Sequence, residues 1–485
     1  MKVRDIINKY KNLPVQARAL FWFLICSFLQ KGISVITTPI FTRIMSPSEY
    51  GSFGAFNSWF NILTIVISMS LFQGVHVQGL VKYEEKRAVF SSSLLGLVTT
   101  SIFIWTVVYA LFHEFWNSLL NLTTVQMSAL LVMIWTFSVF NFWANEQRVK
   151  YSYKMLVAVT LIVSLAKPAL EIILILSSDD KVTARILGIV IVELIGYSWM
   201  FVYQMKKGKK FFSKYFWKYA LFFNLPLIPH YLSQVVLNSA DRIMIKNMVG
   251  TDETGIYNLA YSLALIMTLF NTALLQTLNP WMYERIKKHE DKQMAKIAYT
   301  SLIAIALMNI LIIVFAPEIV AIFAPKAYYE AIWVIPPVAM SVFFMFSYDL
   351  FAKHAFYYEK TIFVMIVSVI AAVLNIVLNF FFIDLFGYRA AGYTTLICFI
   401  IYAVLHYLYM RKVCRQYCSG EYPYDTKIIL AIATVFIIIG FMFLATYNYQ
   451  IIRYSIIALM MIMMILFRKR IINVVKQFAE LRGNK

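Results

Sequence analysis

A chain of 485 residues that is 61% hydrophobic and only 14% charged cannot hide its apolar surface and keep a wettable exterior, which excludes a water-soluble globular protein. Mean hydropathy of +0.71, with repeated apolar runs of about 20 residues, indicates an all-α polytopic membrane protein; the runs are too long for barrel strands. A formal charge of +20 would suit a nucleic-acid partner, but its placement along the chain fits membrane topology and no nucleic acid is expected.

The N-terminal MKVRDIINKYKNLPVQAR mixes acidic and polar residues with its basic ones and lacks a small-residue cleavage site. It reads as a retained cytoplasmic amphipathic lead-in, not a signal peptide. About fourteen spans are expected, beginning near residues 17, 54, 89, 125, 155, 183, 217, 254, 295, 331, 361, 388, 426 and 451. With the N-terminus inside, cytoplasmic segments hold 34 of the 44 Lys and Arg and outside segments hold 8. That bias predicts both termini in the cytoplasm. Every loop is short, which leaves no room for an extramembrane catalytic domain.

Span 1 carries Lys31 near its middle, roughly 20 Å along the helix and too deep for easy snorkelling. A charge held there is a functional candidate by default, although pairing with a carboxylate on another helix is an equally physical reason for it. Arg43, near the outer end, reads as an interfacial anchor. In span 2, Asn57, Asn61, Thr64 and Ser68 recur at helical spacing and share one face, as interhelical hydrogen-bonding groups or as a polar lining. Span 5, LIVSLAKPALEIILIL, sets Lys167 one turn before Glu171, a spacing that permits a local ion pair, and Pro168 can kink the helix there. Glu193 in span 6 is the most isolated intramembrane carboxylate, either a proton-coupling group or a partner for Lys31 or Lys167.

The basic break KKGKKFFSKYFWK (206–218) separates six spans from six more. An internal repeat supports this: MSPSEYGSFGAF (45–56) matches VGTDETGIYNLA (249–260), pairing Glu49 with Glu253 and Gly51 with Gly255 at an offset of 204. The expected organisation is an N-terminal lobe at 1–210, a C-terminal lobe at 211–425, and two extra spans with a basic tail at 426–485. Span 7 holds Asn224, Pro226, Pro229 and His230, then Asn238, Asp241 and Arg242. Its prolines predict a bend. His230 is either a proton sensor or a packed, hydrogen-bonded histidine. Asn375 and Asn379 lie one turn apart in span 11. Cys26 and Cys398 fall in spans, and the C-x₃-C of Cys414 and Cys418 lacks a second ligand pair in sequence, so inert thiols and no metal are expected.

Three stretches carry a resemblance: KGISVITTPIFTRIMSPSEYGSFGAF, NLPLIPHYLSQVVLNSADRIMIKNMVGTDETGIYNLAYS and NIVLNFFFIDLFGYRAAGYTTLI. In order and spacing, from about residue 15 to 410, the chain resembles Wzx-type polysaccharide flippases of the multidrug/oligosaccharidyl-lipid/polysaccharide exporter superfamily. The resemblance implies a bacterial inner-membrane carrier that moves undecaprenyl-pyrophosphate-linked oligosaccharide repeat units to the periplasmic leaflet, for O-antigen, capsule or exopolysaccharide synthesis. It implies alternating access coupled to H⁺ or Na⁺, no enzymatic activity and no cofactor. Membrane lipids, the lipid-linked oligosaccharide, a polysaccharide polymerase and a chain-length regulator would be its partners.

Such a substrate must take a pyrophosphate and sugars across hydrocarbon, which a polar, cationic cavity makes feasible. Lys31 and Lys167 are the candidate substrate-path cations, and Glu171, Glu193, His230 and Asp241 the ion-coupling candidates. Arg242, Asn57, Asn61, Asn224, Asn375 and Asn379 are candidates for gate or polar lining. Asp241 and Arg242 resemble the Asp-Arg that ends this span in the family, as an outer gate or a helix cap. A multidrug exporter and a lipid II flippase are the near alternatives. A membrane polymerase or glycosyltransferase is the alternative from another class, though no metal or nucleophile constellation supports it.

Overall fold

The computed structural model describes residues 14–288, 290–418 and 422–466. Among them lie nineteen α-helices, joined by short turns and four 3₁₀ segments, and no strand. The N-terminal lead-in before residue 14 and the basic tail after 466 lie outside the described residues. The chain divides into two compact units, Met1–Ser239 and Ala240–Lys485, and the division falls inside a helix beyond the basic break.

The first unit contains α1 (Val15–Ile44), α2 (Pro47–Ser68), α3 (Gly74–Lys82), α4 (Arg87–Leu111), α5 (His113–Leu120), α6 (Thr124–Val149), α7 (Tyr153–Leu176), α8 (Lys181–Gly208) and α9 (Lys214–Asn224). The conspicuous MSPSEYG is a helix start. Ser46 caps α2 by accepting from the Glu49 N–H at 3.3 Å, the Glu49 carboxylate accepts from the Ser46 N–H at 2.7 Å, and Pro47 takes the first helical position. Lys181 ties the turn to α8, donating to the Ile44 carbonyl at 2.9 Å. The same device, Thr123 with Gln126, starts α6. The core is a dense apolar packing of α2, α4, α6 and α8 around Phe56, Leu94, Leu130, Phe142 and Trp143.

After α9 the expected bend appears. Residues Leu225–Leu227, with Pro226 among them, form a 3₁₀ turn before α10 (Ile228–Met248). Asn224 is fully buried at this point, and its amide donates to the Met69 carbonyl. Met69 and the following Ser70 form a left-handed turn with φ of 52° and 48°, so Asn224 braces the reversal between α2 and α3.

The second unit continues with α11 (Thr251–Ala264), α12 (Thr268–Lys287), α13 (Asp291–Val314), α14 (Ala316–Phe323), α15 (Ile335–Tyr357), α16 (Thr361–Phe386), α17 (Ala390–Tyr417), α18 (Thr426–Ala445) and α19 (Gln450–Leu466). Helix α15 is its buried centre, packed on α13 and along α17. Helix α18 lies on α13, and α19 is pinned by Arg453, which is 1% exposed and pairs with Glu318.

Twelve helical stretches among the described residues are long and apolar enough to cross a membrane. The expected count was about fourteen. The expected second span is the 22-residue α2, which is too polar to qualify, and the last is α19, whose well-described apolar part is short. The offset of 204 also pairs Arg185 with Arg389, Gly188 with Gly392 and Glu171 with Asn375, so the repeat extends into α7–α8 and α16–α17.

Candidate functional site

Each unit holds its own polar centre. In the first, α7 and α8 approach closely because Gly188 has no side chain: a Cβ there would lie 2.9 Å from the Glu171 Cα. The tight contact lets charges pair across the helices. Glu171 accepts from Arg185 Nε at 3.1 Å, and both are more than 90% buried. The Arg185 guanidinium is sandwiched by Phe41 and Phe53, 3.8 Å from each ring centre. Lys167 pairs with Glu193, which also accepts from Thr136 Oγ1 at 2.7 Å. The local pair that Lys167 and Glu171 permit by spacing is thus replaced by two interhelical pairs. Glu193, expected as the most isolated carboxylate, has two partners. Removing one member would strand the other, since Glu193 is only 4% exposed.

Lys31 differs from all of these. It is exposed on α1 and makes no ion pair or hydrogen bond among the described residues. It stands in a polar stripe, Ser27, Gln30, Lys31, Ser34, Thr37 and Thr38, whose members recur three and four residues apart on one helix face. Gln30 donates to Ser164 Oγ at 3.2 Å, while Thr37 and Thr38 return their hydroxyls to the Ser34 carbonyl. A membrane helix gains nothing by turning such a stripe to lipid. The stripe of α2 splits: Thr64 and Ser68 are buried and bonded to their own helix, whereas Asn57 is half-buried, Asn61 exposed, and neither has a partner among the described residues.

The second unit's centre is built on Asp241, which is fully buried. Its carboxylate accepts from Tyr257 Oη at 2.6 Å, Asn379 Nδ2 at 2.6 Å and Thr395 Oγ1 at 2.9 Å, groups carried by α11, α16 and α17. Asn379 also donates to Asn375 Oδ1 at 3.3 Å and accepts from Thr394. Asp241 is therefore no helix cap; it lies inside α10 and four helices converge on it. Arg242 turns away, donating to Asn258 Oδ1 at 2.8 Å with its guanidinium 4.2 Å from the Tyr261 ring. His230 is half-buried and belongs to neither centre.

Sequence reasoning missed Arg185, Thr136, Tyr257 and Thr395. Arg185 was counted with the outer loop charges, although the repeat pairs it with Arg389. It also missed Glu146, 1% exposed, which takes Lys150 and Lys207 at 2.5 Å each. Partial burial, the largest influence on Lys150 just beyond α6, lowers its affinity for a proton; the Glu146 contact opposes that effect.

The fold is similar to that of solved membrane flippases and multidrug transporters. It is similar to the inward closed conformation of the lipid II flippase MurJ, with a TM-score of 0.67 and 15% identity, covering 93% of this chain and 100% of that one. It is also similar to an inward-facing multidrug resistance MATE family transporter, with a TM-score of 0.59 and 13% identity over 81% and 96% of the chains. Residues 226–381 match the MatE family. Residues 17–285, more than half of the chain, match the family described as polysaccharide biosynthesis protein, and the chain belongs to that family. A curated relative, Lsg locus putative protein 1 of Haemophilus influenzae (strain ATCC 51907 / DSM 11121 / KW20 / Rd), is 24% identical over 383 residues, 73% of this chain and 88% of that one.

Proposed function

We propose that this protein is a flippase that moves undecaprenyl-pyrophosphate-linked oligosaccharide repeat units from the cytoplasmic to the periplasmic leaflet of a bacterial inner membrane. The product would feed O-antigen, capsule or exopolysaccharide synthesis, with a polymerase and a chain-length regulator acting next. What carries the reading is a polysaccharide-biosynthesis family built on a flippase-type fold. Lys31 supports it: a bare ammonium on a polar helical stripe suits a pyrophosphate, where two acidic groups must shed water. Lys167 serves the path through the charge it shares with Glu193, and the amides of the half-buried Asn57 and the exposed Asn61 suit sugar hydroxyls. Alternating access would be coupled to H⁺ or Na⁺ at the Asp241 centre, where a carboxylate surrounded by neutral oxygens and amides suits either ion.

Deleting the gene in its host tests the reading. The expected result is loss of surface polysaccharide with the lipid-linked repeat unit retained in the membrane; unchanged surface polysaccharide and no retained precursor would overturn it. The likeness to MurJ favours a second reading, transport of lipid II. Growth restored to cells depleted of their own lipid II flippase would select that reading instead.

A further inference from the structure

We propose that His354, Cys414 and Cys418 form a zinc site that fastens the ends of α15 and α17 together. The ligand atoms of all three residues lie within 4.8 Å of one another. His354 and Cys414 are fully buried and Cys418 is 6% exposed. Cys414 lies in the last turn of α17 and Cys418 is the residue that ends it, its N–H donating to the Cys414 carbonyl at 2.8 Å, which holds the two thiols one turn apart. That i,i+4 spacing lets two side chains of one helix hold a single ion. His354, in the last turn of α15, supplies the third ligand from the facing helix.

The frame around the site is fixed by two aromatic pairs. One turn before His354, Phe351 packs edge-on against Tyr407, with ring centres 5.1 Å apart. One turn after it, Tyr358 stacks on Tyr417 at 4.7 Å, and its hydroxyl lies 3.6 Å from Cys418 Sγ. These aromatic pairs set the separation of the two helices above and below the ligands, the preorganisation a metal site requires. Zinc takes sulfur at about 2.3 Å and imidazole nitrogen at about 2.0 Å, so a tetrahedral centre has edges of roughly 3.5 to 3.8 Å.

Charge balance also suits burial. Binding Zn²⁺ releases the two thiol protons to solvent and leaves a centre of two thiolates, one neutral imidazole and one dication, with no net charge. A solvent molecule would take the fourth position. Sequence spacing hid the site because the third ligand lies 60 residues before the first cysteine.

The test uses the full chain, purified in detergent, reduced, stripped with a chelator and titrated with Co²⁺ as a spectroscopic stand-in for Zn²⁺. A saturable near-ultraviolet thiolate-to-cobalt band, displaced by Zn²⁺, is expected. It should be lost in C414S and C418S and kept in the C26S/C398S double variant. Monodisperse wild-type protein that shows no such band overturns the proposal, as does a band that survives in the C414S/C418S double variant. The wild-type measurement decides the matter even if a variant fails to fold, and it does not depend on what the protein transports.

Discussion

Lys31 and Lys167 look alike in the sequence, two ammonium groups in apolar runs, but they meet different surroundings. Lys167 is held by Glu193, and Thr136 completes the carboxylate's shell. Lys167→Ala strands a buried carboxylate and should cost about 3–5 kcal/mol. The variant should show a lower unfolding temperature in detergent, and adding Glu193→Met should recover most of the loss, because an apolar pair replaces the ionic one. A Lys167→Ala protein as stable as wild type would contradict this account. Lys31 holds nothing in the fold, so Lys31→Ala should leave stability unchanged. If it contacts phosphate, one charge-assisted bond of about 1.5–3 kcal/mol is lost and transport should fall about tenfold to a hundredfold, with Lys31→Arg recovering most of it. Full polysaccharide export by Lys31→Ala at normal protein level would remove it from the path. The depth of both lysines could be read from the sequence. Glu193 is legible as a partner for one lysine or the other, but the sequence does not choose between them: it lies 26 residues from Lys167, and the approach of α7 and α8 brings those two together while Lys31 meets no carboxylate among the described residues. The stripe from Ser27 to Thr38 is written in the spacing of its residues.

The helix pair α7–α8 shows how a small residue sets the site. At Gly188 a methyl group would meet the backbone of Glu171 at 2.9 Å, and backbone cannot step aside. Gly188→Ala should force the helices apart, disturb the Arg185–Glu171 pair and cost about 1–3 kcal/mol. Gly32 in α1 is the internal control, since nothing lies within 4 Å of the Cβ it lacks. Gly32→Ala should be neutral or stabilising by up to about 1 kcal/mol. Thermal unfolding of the two variants side by side checks both signs, and equal behaviour would refute the packing argument. The proline break before α10 is legible because Pro226 cannot continue a helix, whereas the start of α2 reads in sequence only as a repeat motif: the expected span begins near residue 54, and the Ser46–Glu49 cap starts the helix at Pro47. The polarity of α2 was legible as a stripe, yet it is also what keeps that helix below the apolar content of a membrane span.

For the whole molecule, composition alone gives the membrane class, and the offset of 204 pairs positions of the first unit with positions of the second. What the repeat does not predict is that the halves diverge in charge. In the first unit Glu171 faces Arg185, while its counterpart in the second is the neutral Asn375, which belongs to the Asp241 cluster. The first unit thus neutralises its acids with cations, and the second surrounds one acid with neutral donors, apart from the neighbouring Arg242 guanidinium that turns to Asn258 and Tyr261. A carboxylate satisfied by Tyr257, Asn379 and Thr395 can exchange those bonds for a proton or a small cation without breaking an ion pair, which is why the proposed coupling is placed at Asp241. Asp241→Asn keeps the size but removes the charge: its amide oxygen can keep the Tyr257 and Thr395 bonds, which share one carboxylate oxygen, while its NH₂ would face the Asn379 amide donor. In proteoliposomes with an imposed pH or Na⁺ gradient, wild-type transport of the lipid-linked oligosaccharide should rise with the gradient that is coupled. Asp241→Asn should move substrate at a rate that no longer responds to either gradient, whereas Glu193→Gln should retain the response at reduced protein stability. If Asp241→Asn keeps the gradient dependence and Glu193→Gln loses it, coupling belongs to the first unit and its ion pairs must break during transport.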